Sequence, residues 1–62
     1  MTLAEKMIYY RARERITQTE LARRCGVSLQ TINSIEKGSQ TPSKMTMLKI
    51  LMVVEDSNFK EE

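Results

Sequence analysis

The sequence predicts an all-α fold, a compact bundle of four to five short helices. Three observations predict it. Ser or Thr residues stand where helices would be capped, each followed by apolar residues three and four apart. Gly26 and Gly38 stand where two of these stretches would end. With two Gly, one Pro and few aromatic residues, the composition favours helices over a sheet.

Thr2 and Glu5 form a capping-box pattern that opens the first helix, and Leu3, Met7, Tyr10 and Arg11 share one of its faces. Arg13-Glu14-Arg15 closes it, and Ile16 tucks the connection into the core. Thr17 and Glu20 are a second capping box, with Leu21, Ala22 and Cys25 as the buried stripe of the second helix. Gly26 ends that helix, Val27 is the apolar residue before the next cap, and Ser28 caps the third helix. Ile32 and Ile35 point inward. Leu29, Gln30, Asn33, Ser34 and Lys37 lie on or beside the outer side, and Gly38 terminates the helix. Ser39-Gln40-Thr41 is a polar loop, with Pro42 and Ser43 entering a fourth helix from about Lys44 to Val54.

Sixty-two residues make one domain, near the lower size limit for folding without metal or disulfide. A hydrophobic share of 40% is enough for a core and argues against disorder. No apolar run approaches ~18 residues, so no membrane partner is expected. The N-terminus lacks the basic start and apolar stretch of a signal peptide, and a single Cys cannot form an internal disulfide. Both fit a cytoplasmic location. Nothing points to a small-molecule ligand, cofactor, metal or catalytic residue. There is no His, the lone Cys sits at a core position, and no carboxylate pair or glycine-rich phosphate loop is present.

Charge is unevenly placed. Glu55, Asp56, Glu61 and Glu62 against Lys60 give residues 55–62 a charge of −3. The other 54 residues carry +5, nine Lys and Arg against Glu5, Glu14, Glu20 and Glu36. A basic body with an acidic tail is expected of a polyanion binder, although an ordinary solvated surface has the same look. The chain thus divides into a domain over 1–54 and a short tail over 55–62.

Thr17 to Gly38, two short amphipathic helices broken by a Gly, has the layout of a helix-turn-helix. From Arg11 through Ile16-Thr17-Gln18, Glu20-Leu21-Ala22, Gly26-Val27-Ser28, Thr31-Ile32, Ile35-Glu36-Lys37-Gly38 and Pro42-Ser43, the chain resembles the Cro/phage-repressor (XRE) helix-turn-helix family. The resemblance covers roughly residues 3–54. It implies the lambda-repressor-like bundle, with helices 2 and 3 as the reading unit and double-stranded DNA as the partner. It also implies an ion pair between Arg11 and Glu36, joining helix 1 to the end of helix 3. Arg15 departs from the Gly common at the turn after helix 1, and the sequence after Val54 follows the usual fifth helix poorly.

On that reading Ser28, Leu29, Gln30, Asn33 and Ser34 are candidate base contacts. An amide such as that of Gln30 pairs bidentately with adenine, and Leu29 offers apolar contact to a thymine methyl. Gln18, at the free N–H groups opening helix 2, and Lys37, Ser39, Gln40, Thr41 and Lys44 are candidate phosphate contacts. Ser28 is a helix cap in either case. Arg13, Arg23 and Arg24 are expected to be solvated rather than DNA-bound.

The fourth helix is more apolar than one buried face requires. Met47, Ile50, Leu51 and Val54 suit the core, leaving a second stripe of Leu48 and Met52 that Phe59 would extend. Two outcomes stay open: a homodimer through this stripe and the tail, or a tail folded back over it within one chain. The function expected is a DNA-binding transcriptional regulator, a small repressor binding a near-palindromic operator as a dimer. The alternative is a protein-interaction module, antitoxin or adaptor, built on the same fold.

Overall fold

A hydroxyl opens every helix in the computed structural model, which describes residues 1–55. The helices are α1 Leu3–Glu14, α2 Gln18–Cys25, α3 Leu29–Lys37 and α4 Lys44–Val54. Thr2, Thr17, Ser28 and Ser43 each accept the backbone N–H three residues on, satisfying a donor that the first turn cannot. At Thr2 the box is complete, because Glu5 accepts the Thr2 N–H in return at 2.9 Å. At Thr17 it is not. The Glu20 carboxylate turns to Arg23 and Arg24 instead, where charge-assisted bonds outweigh one neutral N–H. Pro42 lies ahead of the Ser43 cap, outside α4.

The first three helices end on left-handed residues: Arg15 at φ 58°, Gly26 at 74° and Gly38 at 78°. At the two glycines a Cβ would meet nothing within 4 Å, so glycine is favoured by backbone conformation alone. Arg15 adopts the same conformation with a side chain. Its turn is fastened by the Ile16 N–H donating to the Arg11 carbonyl at 3.1 Å. The Gly26 turn folds α3 back on α2, whereas the Arg15 and Gly38 turns lead into helices that pack chiefly on other partners.

α2 packs against α3, α1 lies against both α3 and α4, and α2 also meets α4. Each helix sends one fully buried side chain to the centre: Met7, Leu21, Ile32 and Ile50. Tyr10, Ala22, Cys25, Ile35 and Val54 complete the core, and Ile16 and Val27 seal it from the two connections. Burial pushes the Cys25 thiol up to about 11, so it acts as a small apolar side chain. On α4 the inner face is Ile50 and Val54, flanked by Leu51 and Val53, while Met47 is only half-buried. The expectation that Met47 and Leu51 are core residues is corrected to that extent. No helix among the described residues is long and apolar enough to cross a membrane.

Candidate nucleic-acid interface

The candidate site is the outer side of α3, and it exists because the inner side is fixed. Ile32 and Ile35 are buried, which turns Gln30, Asn33, Ser34 and Lys37 outward at helical spacing, with Leu29 at the leading edge. Leu29, Gln30 and Lys37 are exposed, while Asn33 and Ser34 are half-buried. Ser28 is exposed, but its hydroxyl accepts the Thr31 N–H at 3.1 Å and shares a hydrogen bond with the Thr31 hydroxyl at 2.9 Å. Its capping work occupies the hydroxyl. Ser39, Gln40, Thr41 and Lys44 are all exposed on the α3–α4 connection and the start of α4. The Ser39 hydroxyl donates to the Ser34 carbonyl at 3.2 Å, closing the end of α3.

A polar chain behind this stripe holds it in place. Arg11 donates from Nε and Nη2 to the two carboxylate oxygens of Glu36, both at 2.9 Å. The Glu36 side chain is 6% exposed and that of Arg11 24%. A planar guanidinium paired bidentately suits so enclosed a carboxylate, and Glu36 in turn holds Arg11 above its usual range. Gln18 Nε2 donates to the same Glu36 Oε1 at 2.9 Å, and Gln18 Oε1 accepts from Asn33 Nδ2 at 3.3 Å. Residues from α1, α2 and α3 thus form one connected network, and no buried side-chain polar atom among the described residues lacks a partner.

A second charged group ties α1 to α2 on another face. Arg24 donates to the Tyr10 hydroxyl at 3.0 Å, to Glu14 at 3.4 Å and to Glu20 at 3.1 Å. Arg23 also reaches Glu20, and the two guanidiniums hold the Glu20 carboxyl down at about 2. Arg13 lies over the Tyr10 ring, 5.9 Å from its centre. Of the three arginines expected to be solvated, Arg23 is, with 74% of its side chain exposed; the expectation is corrected for Arg24, which fastens α2 to α1. Glu20 with arginines three and four residues on is a readable signal for part of this, whereas nothing in the spacing announces Tyr10.

On α4, Leu48 and Met52 are 52% and 72% exposed, and Met45, one turn earlier, 66%. The expected second stripe is thus solvent-facing and longer than Leu48 and Met52 alone. Phe59, placed with it from the sequence, lies outside the described residues, as does the tail beyond Glu55. A cleft between α1 and the end of α4, lined by Lys6, Tyr9, Tyr10, Arg13 and Val54 among others, shares no residue with the α3 stripe. Among the described residues no cluster of His, Cys, Asp or Glu has the make-up of a metal site.

Comparison with known proteins agrees with this architecture. The helix-turn-helix family model matches residues 7–53, from the middle of α1 almost to the end of α4. An uncharacterised HTH-type transcriptional regulator of Methanocaldococcus jannaschii is 48% identical over 48 residues, covering 77% of this chain and 73% of that protein. No solved structure matches the chain.

Proposed function

Since the chain belongs to the XRE-type helix-turn-helix family, we propose that it is a sequence-specific DNA-binding transcriptional regulator, a small repressor that binds a near-palindromic operator as a homodimer. The observation that carries this reading is the outward polar stripe of α3, fixed from behind by buried isoleucines and by the Glu36 network. A helix seated in a major groove offers its N-terminal and outward side chains to base edges. Gln30, exposed and without a hydrogen-bond partner among the described residues, is the leading base contact. Leu29 meets a thymine methyl, and Ser34 and Asn33 act one turn further on. Lys37, Gln40, Thr41 and Lys44 face phosphates, with the start of α2 at Gln18 as a further anion contact. The domain doing this work spans residues 1–54. We read the protein as a binder and not an enzyme.

The dimer rests on the apolar stripe of α4. Met45, Leu48 and Met52 in water would be unusual for a free-standing monomer, and a two-fold axis there would pair two α3 helices about one DNA turn apart. The same stripe favours the second reading, an adaptor docking another protein. Selection of bound sites from random DNA, followed by footprinting, separates the two. A near-palindrome with half-sites about one helical turn apart is expected. Recovery of no preferred sequence would remove the regulator reading and leave the adaptor.

A further inference from the structure

Resting on the DNA-binding reading, we infer that Glu36 sets the base preference of Asn33 through Gln18, making Asn33 a reader of bases that present an amino group in the major groove, adenine and cytosine. A carboxylate paired with Arg11 only accepts hydrogen bonds, so the Gln18 side-chain atom 2.9 Å from Glu36 Oε1 must be the amide nitrogen. The other end of Gln18 is then its carbonyl oxygen, and the Asn33 atom 3.3 Å away must donate. The polarity of both amides follows from one charge. Neither is free to flip, because a flip would set oxygen against oxygen.

The consequence falls on the outer face. Asn33 turns its Nδ2 to Gln18, and its Oδ1 has no partner among the described residues. No side-chain polar atom there is both buried and unpaired, so Oδ1 opens to solvent. It lies on the α3 stripe one turn beyond Gln30. In a major groove, adenine N6 and cytosine N4 are donors, whereas guanine O6 and thymine O4 are acceptors. A carbonyl presented first selects adenine or cytosine and repels guanine and thymine. Glu36 and Gln18 are positioning residues: they act on the DNA sequence through Asn33. They also link base choice to fold, since Arg11 and Glu36 join α1 to α3.

The test is site selection from random duplex DNA with the full chain and with Asn33→Ala, Gln18→Met and Glu36→Gln. At the position whose preference Asn33→Ala abolishes, the unaltered chain is expected to favour adenine or cytosine about tenfold. Gln18→Met keeps the side-chain length and removes its polar atoms, and should reduce that preference to about twofold or less while other positions keep theirs. In Glu36→Gln the charge that fixes polarity is gone, and guanine and thymine should be admitted at the same position. If Glu36→Gln does not fold, Gln18→Met alone decides. A uniform loss of affinity with an unchanged profile in Gln18→Met overturns the relay, as does a guanine or thymine preference at the Asn33 position. An Asn33→Ala profile identical to that of the unaltered chain also overturns it. Absence of any salt-sensitive DNA binding by the unaltered chain is a different result, which removes the regulator reading and the inference with it.

Discussion

α3 and α4 begin on the same device, a Ser hydroxyl that accepts the N–H of a Thr three residues on and bonds that Thr's hydroxyl as well, yet their outer faces differ in kind. Ile32 and Ile50 anchor the two inner faces with no exposure at all. Outward, α3 presents Gln30, Asn33, Ser34 and Lys37, whereas α4 presents Met45, Leu48 and Met52. α3 is also braced by a polar network and closed by a left-handed Gly38, while α4 ends on Glu55 in ordinary helical conformation. Caps and inner faces build the bundle, and outer faces decide what it meets. A polar, rigidly held stripe suits the edges of bases; an apolar one suits another protein surface.

The largest effect expected from breaking this comparison lies where the two helices are alike. Ile32→Ala and Ile50→Ala should each cost about 2–5 kcal/mol of unfolding free energy, measured by urea denaturation. A cost under ~1 kcal/mol at either position would mean that its packing is not as described. Next comes the enclosed brace of α3, whereas the Lys6–Glu55 pair that ties the end of α4 to α1 is exposed. Glu36→Ala strands a largely enclosed guanidinium and should destabilise the fold by about 3 kcal/mol. Met52→Glu should leave unfolding of the monomer within about 0.5 kcal/mol but abolish self-association in sedimentation at micromolar concentration. A chain that sediments as a strict monomer before and after that substitution would take the dimer away.

Smaller effects belong to the connections. Arg15→Gly relieves a left-handed conformation at an exposed position and should stabilise the fold by about 1 kcal/mol. The mildest is a pH effect at the Glu20 cluster. Its folded carboxyl titrates at about 2 against an ordinary 4.5, because of Arg23 first and Arg24 second. The stability it contributes is therefore fully present above about 4.5 and lost as pH falls toward about 2. Glu20→Gln should flatten the acid limb of a stability–pH profile, and an unchanged limb would show that the pairs hold nothing in solution.

Much of this was legible in the sequence, because caps, left-handed turns and buried stripes are local. Thr17, Ser28, Gly26, Gly38 and the Ile32–Ile35 face announce themselves within four residues of chain. So does the apolar surplus of α4, although spacing alone does not show that Met45 extends the exposed stripe or that Met47 is only half-buried. Hydrogen bonds between distant segments were not legible by spacing. Gln18 and Asn33 are 15 residues apart, and Tyr10 and Arg24 14. No periodicity relates either pair; only the folded packing of the helices does. The Thr17 box failed for a related reason, since its Glu20 had better partners one turn on.

On the proposed function, α3 and not α4 carries the nucleic-acid contact. Affinity for a selected duplex, measured as a function of salt, tests it most directly. Log affinity should fall steeply with log salt, Lys37→Ala should lower the slope by about one, and Gln30→Ala should cost about 1–3 kcal/mol on the preferred site only. Met45→Ala should leave the slope unchanged. Affinity that is insensitive to salt and to both Gln30→Ala and Lys37→Ala would contradict the proposed function.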